Sequence, residues 1–215
     1  MAGRVEETER GVERLIFFTD AVAAIAITLL ILPLVEIVTT DADKGVPVER
    51  FIHDNFGQLL AFGLSFLIIA RFWMANHEIL ADVVRMSTVL MWLDIAWVFT
   101  IVLLPLPTEI TAVYPPSLLT VVIYIGTCFV STLLLTAMSL YLYVNPKLER
   151  TGKPTSGVQV WGIGSTAVAF LVALALALIF PAIRYYSLFA LLLTFPLDAI
   201  IKPRILRREA AKHAD

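Results

Sequence analysis

Residues 14–36 read RLIFFTDAVAAIAITLLILPLVE, an apolar stretch that carries one carboxylate, Asp20, between its charged ends. About 20 mostly apolar residues are enough for a helix to cross the hydrocarbon layer of a bilayer. An ionisable side chain inside such a helix is costly, and it usually serves function. The stretch therefore predicts a membrane-spanning helix whose single internal acid belongs to the working parts of the protein.

The composition of the whole chain agrees with a membrane protein. Of its 215 residues 59% are hydrophobic and 16% are charged, whereas soluble domains average roughly 45–50% apolar and about 25% charged residues. The net charge of -2 provides no basic field to recruit nucleic acid. A single cysteine, Cys128, excludes an intrachain disulfide and a multi-cysteine metal site. We expect an all-α membrane protein that contacts the lipid bilayer, without a cofactor or bound metal.

Apolar stretches long enough to cross a membrane recur along the chain, separated by breaks that contain proline, glycine or clustered charge. The six predicted spans are about 14–36, 57–80, 89–110, 117–144, 158–180 and 184–202. With both termini in the cytoplasm, twelve of the sixteen basic residues lie on the inner side, three lie outside, and Arg71 lies within the second span. This arrangement makes 1–13 a cytoplasmic N-terminal segment, 14–202 the six-helix domain and 203–215 a cytoplasmic tail. The alternative for residues 1–42 is a cleaved signal peptide, which Asp20 disfavours.

Six ionisable or amide side chains within the predicted spans fall at one depth. In the orientation above, the inner half of the membrane holds Asp20, Arg71, Asn76, His77, Asp94 and Asp198. A shared depth favours a polar network between helices. The alternative is that each group snorkels or packs singly.

The first predicted helix has one continuous apolar face. At about 100° per residue, Ile25, Thr28, Leu29 and Leu32 share this face with Phe18, whereas Asp20 lies about 140° away from Ile25. The surrounding alanines permit close approach of neighbouring helices. Periodicity alone favours a tightly packed central helix; a pore wall is the alternative reading.

Three motifs follow one another over residues 14–109. The first is R-x-x-x-F-T-D with its apolar continuation, residues 14–30; the second is SFLIIARFWMANH, Ser65 to His77; the third is MWLDIAWVFTIVLLPLPTE, Met91 to Glu109. In this order they resemble the first three helices of prokaryotic members of the TMEM175 potassium channel family, also called DUF1211. Thr19 stands where the family has serine, Asn76 where many members have histidine, and Asp94 where asparagine is common.

The resemblance implies a cation channel that selects potassium over sodium in the inner (plasma) membrane of a prokaryotic cell. Four six-helix chains would form a homotetramer whose first helices line a central pore. Ile25 would form the hydrophobic constriction, Thr28 would lie one turn outward, and Leu29 and Leu32 would extend the lining. The network that holds the first helix would comprise Arg14, Phe18, Thr19, Asp20, Trp73, His77 and Asp94.

Two features bear on how such a pore would work. The chain has no T-V-G-Y-G filter loop, and its nearest string is YIGTC at 124–128, so selectivity must come from side chains. Arg14 lies about 20° from Ile25, and a positive ring at a cation pore would repel the permeant ion. We therefore expect Arg14 to bend towards Glu13, Asp20 or a C-terminal acid.

Two other function classes stay open on the sequence alone. A secondary transporter or proton pathway would use Asp20, His77 and Asp94 as a relay. Transporters usually have paired repeats with broken helices, and the prolines that could break spans here, 33, 105 and 196, do not occupy corresponding halves. A membrane enzyme is disfavoured because no second histidine stands at metal-ligand spacing and no G-x-S-x-G motif occurs.

Overall fold

The structure is a computed structural model that describes residues 2–115, 117–150, 152 and 154–180, with only the backbone described for residues 2–9. Within these residues the regular structure is helical. The α-helices are α1 (Ala2–Leu29), α2 (Leu32–Asp43), α3 (Val48–Asp54), α4 (Phe56–Leu80), α5 (Thr88–Leu103), α6 (Pro105–Val113), α7 (Leu118–Val144) and α8 (Gly157–Ile179).

Two of the predicted spans are each made of two helices, and a proline lies in the first turn of the second helix in both cases. Pro33 lies in the first turn of α2 and Pro105 begins α6. Proline lacks a backbone N–H and its ring clashes with the carbonyl four residues earlier, so a helix that reaches it bends or ends. The pairs α1–α2 and α5–α6 nevertheless continue as single apolar stretches, Arg10–Asp43 and Thr88–Val113.

Five helical stretches among the described residues are long and apolar enough to cross a membrane. They match the first five predicted spans, and the first extends beyond the predicted end, to Asp43. The sixth predicted span, 184–202, lies outside the described residues together with Asp198. The structure therefore confirms an all-α protein with several apolar spans, and the count of six stays a prediction.

Helix α7 forms the centre of the described bundle. It packs along α8 and α5 and also contacts α4 and α6. Its buried face carries Tyr124, Cys128, Leu135 and Met138, none of them more than 4% exposed. Because this helix contains no Asp, Glu, Lys or Arg, it buries apolar and hydroxyl side chains without the cost of a charge.

Two loops at the end of the bundle that holds the N-terminus of α5 are joined by backbone hydrogen bonds. The N–H groups of Val84 and Arg85 donate to the carbonyl of Leu148, and the N–H of Arg150 donates to that of Asp82. Between them, the buried carboxylate of Glu149 accepts bonds from the backbone N–H and hydroxyl of Thr155. These contacts fix the start of α5, which carries the acid of the site described next.

Candidate functional site

Helix α1 has a face turned towards the bundle and a face with no covering. The bundle-facing positions follow helical spacing and are at most 5% exposed: Val12, Thr19, Ala23, Ala26 and Leu30. On the uncovered face, Ile25 is 58% exposed and Leu29 is 42% exposed, and Leu32 at the start of α2 is 56% exposed. The two small alanines let α1 lie close to its neighbours. The helix is therefore anchored on one side and free to contact lipid, water or another chain on the other.

A buried carboxylate in α5 joins three helices. Asp94 is 0% exposed; its Oδ2 accepts from the hydroxyl of Thr19 in α1 at 2.8 Å, and its Oδ1 accepts from the Nδ2 of Asn76 in α4 at 2.8 Å. Hydrogen bonds to a charged acceptor are stronger than those between neutral groups, and buried acceptors need them. This cluster ties the bundle-facing side of α1 to both neighbouring helices.

The two family departures at positions 76 and 94 are complementary in chemistry. An asparagine amide is a donor, and an aspartate carboxylate is an acceptor, so the pair forms the 2.8 Å bond directly. The sequence places Asn76 among the polar groups of the inner half, but the network that the resemblance implies leaves it out. Asn76 lies three residues after Trp73 on the helix that also carries His77. Residues three apart are neighbours on a helix surface, so this spacing was the signal in the sequence that could have added Asn76 to the network.

A second polar contact holds α1 against α4. The Nε1 of Trp73 donates to the Oδ1 of Asp20 at 2.7 Å, and the Nδ1 of His77 lies 3.9 Å from Oδ2 of the same carboxylate. The rings of Trp73 and His77 lie 5.8 Å apart between centroids. Asp20 therefore points to α4, about 140° around the helix from Ile25.

Asp94 and Asp20 belong to separate clusters. Among the described residues, no hydrogen bond joins Asp94 to Asp20 or to His77. A proton relay through all three residues would need such a connection or a bridging water. Helix α1 is therefore held at two separate points. We call them the Asp94 clamp, which joins Asp94 to Thr19 and Asn76, and the Asp20 clamp, which joins Asp20 to Trp73 and His77.

Arg14 and Phe18 lie away from these clamps. Both side chains are exposed, and within the described part of the chain Arg14 has no ion pair with Glu13 or Asp20. Of the expected partners, Asp20 is instead turned to Trp73 and lies about 120° from Arg14 around the helix. The third expected partner, a C-terminal acid, lies outside the described residues.

Sequence reasoning also missed a hydroxyl cluster at the opposite half of the bundle. The hydroxyl of Thr108 in α6 donates to that of Ser65 in α4 at 3.0 Å, and Ser65 lies 3.1 Å from the hydroxyl of Tyr124 in α7. Thr108 lies just beyond the break at Pro105, and the hydroxyl cluster links α6 to α4 and α7. In the part of the chain that is described, no group of three His, Cys, Asp or Glu residues is placed to hold a metal ion.

Comparisons with known proteins agree with this fold. The family model for the endosomal/lysosomal potassium channel TMEM175 matches residues 14–105. A protein of Streptomyces collinus named as a potassium channel is 33% identical over 97 residues, 45% of this chain and 46% of the relative, so the match spans under half of that relative's length. The crystal structure of a lysosomal potassium-selective channel TMEM175 homolog from Chamaesiphon minutus covers 91% of this chain and 98% of its own, with a TM-score of 0.66 and 20% identity. The predicted resemblance to the TMEM175 family is confirmed.

Proposed function

Because this chain carries the TMEM175 family region in residues 14–105, we propose that it is a subunit of a potassium channel in which several copies surround one pore. The observation that carries the proposal is the division of α1 into two sides. Thr19 and Asp20 are bonded to the neighbouring helices of the same chain, while Ile25 and Leu29 of α1, and Leu32 at the start of α2, are uncovered. A helix held in this way presents a fixed apolar stripe that copies of the chain can direct to a common axis.

The constriction in this proposal is a ring of Ile25 side chains. An isoleucine offers an ion no hydrogen-bond partner to replace its water, so a narrow ring excludes water and blocks conduction. Opening then requires α1 to move enough to admit water. The clamps of Asp94 and Asp20 hold the helix that must move, so their strength sets how easily the ring widens.

Thr28 is the polar group nearest the ring along the stripe. Its hydroxyl donates to the carbonyl of Ile25 at 2.8 Å and is otherwise exposed. With the proton directed into its own helix, the oxygen lone pairs are free to meet a cation that passes along the stripe. A ring of such oxygens next to the constriction is a side-chain alternative to a filter of backbone carbonyls.

Replacing Thr28 with valine should lower the preference for potassium over sodium by about fivefold or more, since it removes one hydroxyl oxygen from every copy and a single oxygen contact is on the order of 1 kcal/mol. Valine keeps the shape and removes the oxygen, so the oligomer mass should stay unchanged. Thr28→Ser is the matched control, because it keeps the hydroxyl. Potassium and sodium fluxes in liposomes measure the effect, and an unchanged ratio in the valine variant would remove Thr28 from the selectivity mechanism.

The assembly is proposed as a homotetramer, with both termini on the cytoplasmic side of a prokaryotic inner (plasma) membrane. The resemblance supports four copies, and the distribution of basic residues supports the orientation.

A flux assay on purified protein in liposomes, with its oligomer mass measured in parallel, tests the whole proposal. Potassium should move down its own gradient, without coupling to protons or a second solute. Flux that requires a proton gradient at fixed stoichiometry would favour the secondary transporter. The absence of potassium flux from a folded oligomer would refute the channel.

A further inference from the structure

The break between α1 and α2 keeps the helical path of the chain. The backbone N–H of Ile31 donates to the carbonyl of Thr28, and the N–H of Val35 donates to the carbonyl of Ile31. Ile31 itself has helical backbone angles, with φ -79° and ψ -20°. Positions around the helix can therefore be counted at about 100° per residue from α1 into α2.

The buried side chains show that this register holds across the break. In α1, the buried Ala23, Ala26 and Leu30 lie about 100–160° from Ile25 around the helix. In α2, the buried Leu34 lies about 180° from Ile25, on the same side. The side that faces the bundle is thus shared by the two helices, and the uncovered stripe continues on the opposite side of α2.

This stripe ends in a carboxylate. Glu36 lies eleven residues after Ile25, about 20° from it around the helix and about 16 Å farther along the axis. Leu32, one turn before Glu36, is uncovered, and Glu36 is exposed as well. Within the described part of the chain, Glu36 has no ion pair. Its charge is therefore not neutralised by a described side chain of its own copy.

A charge on the exposed side of a membrane span needs water. Ionisable side chains in spans almost always face the bundle interior or a water-filled cavity, and Glu36 points away from the bundle. Thr39, one turn farther, is exposed, and its hydroxyl donates to the carbonyl of Glu36 at 2.8 Å. Its oxygen lone pairs are free to accept, as are those of Thr28. This end of the stripe is suited to a wet surface that meets cations.

We infer that the copies of Glu36 form a ring at the outer mouth of the pore and raise the local concentration of potassium in front of the Ile25 constriction. The inference rests on the proposed function, because assembly around the α1 stripe is what brings these carboxylates together. A mouth with low-dielectric walls focuses the field of such a ring and raises the rate at which cations enter.

The opposite charge at the other end of the stripe does not cancel this field. Arg14 lies 22 residues before Glu36, about 33 Å along the helix. That separation exceeds the Debye length, which is about 30 Å at 0.01 M salt and shorter at higher salt. The ring of Glu36 therefore acts on the outer mouth alone.

Replacing Glu36 with glutamine keeps the size of the side chain and removes its charge. The potassium current across a planar bilayer should fall by about threefold in about 10 mM KCl and by less than about 1.5-fold in about 1 M KCl, where the Debye length is about 3 Å. Glu49→Gln is the matched control, because Glu49 is exposed in the first turn of α3 and lies off the stripe. Its current should equal that of the wild type at both salt concentrations.

A cysteine at the same position separates the charge from the shape of the side chain. In Glu36→Cys with Cys128→Ser, a methanethiosulfonate reagent attaches either a negative sulfonate or a positive quaternary ammonium group to the exposed thiol, and the intact mass confirms the attachment. The sulfonate should restore most of the current at low salt, whereas the ammonium group should lower it further.

Three results would overturn the inference. Equal currents after the two reagents, or a Glu36→Gln protein that conducts like the wild type at low salt, would remove the role of Glu36 and leave the channel in place. Absence of potassium current from the folded wild-type oligomer would refute the channel itself, and the inference would fall with it.

Discussion

Replacing Ile25 with asparagine should raise the potassium flux of the reconstituted protein by about tenfold or more and reduce its discrimination against sodium. An amide in each chain gives water and ions hydrogen-bond partners where isoleucine has none, so the constriction becomes hydrated. A tenfold rise corresponds to a barrier lowered by about 1.4 kcal/mol. Initial rates of potassium and sodium flux in liposomes, at equal protein content, measure both effects.

The control at the same position is Ile25→Leu, which changes the shape and keeps the side chain apolar. Its flux should stay close to that of the wild type. If the asparagine variant, folded and with unchanged oligomer mass, conducts no better than the leucine variant, Ile25 does not form the barrier.

Replacing Asp94 with alanine should produce the largest loss of stability. The change removes the shared acceptor of Thr19 and Asn76, each at 2.8 Å, and leaves two buried donors without a partner. Each unsatisfied buried group costs about 1–3 kcal/mol, so about 2–6 kcal/mol is expected in total. That is a large fraction of the roughly 5–15 kcal/mol that stabilises a typical folded protein. Thermal unfolding in detergent and the oligomer mass after purification report the loss.

Two variants of Thr19 separate the hydrogen bond from side-chain packing. Thr19→Ser keeps the hydroxyl and should retain most of the stability, whereas Thr19→Val keeps the shape and should lose part of it. A threonine-to-valine change without effect, together with a stable Asp94→Ala protein, would show that the clamp does not hold α1.

The spans and their breaks could be predicted from the sequence because they depend on local properties. Apolar runs set the helices, and the prolines at 33 and 105 could be named as possible breaks without knowledge of the packing. The first helical stretch runs from Arg10 to Asp43 and is longer at both ends than the predicted span of about 14–36.

The partners within the site could be predicted only in part. The helical wheel separates Asp20 from Ile25 because both lie on one helix. The bond from Thr19 to Asp94 crosses 75 residues of sequence and depends on how α1 and α5 cross, which periodicity does not encode. Arg14 shows the same limit, since its nearest acids in sequence lie on other sides of the helix.

The proposed function depends on what the uncovered stripe of α1 faces in the assembled protein. An apolar stripe that faces lipid and one that faces a narrow pore have the same composition, and the 58% exposure of Ile25 in a single chain fits both. The distance between Ile25 in one copy and Ile25 in another distinguishes a stripe that faces lipid from one that faces a pore.

Disulfide crosslinking between copies measures this proximity directly. The chain has one cysteine, the buried Cys128, so Cys128→Ser provides a background for single cysteines at Ile25 and, as a control, at the exposed Leu67 of α4. The account predicts that mild oxidation in the membrane joins copies through Ile25→Cys and stops potassium flux, while Leu67→Cys stays monomeric on a denaturing gel. Crosslinking at Leu67→Cys without any at Ile25→Cys would contradict it.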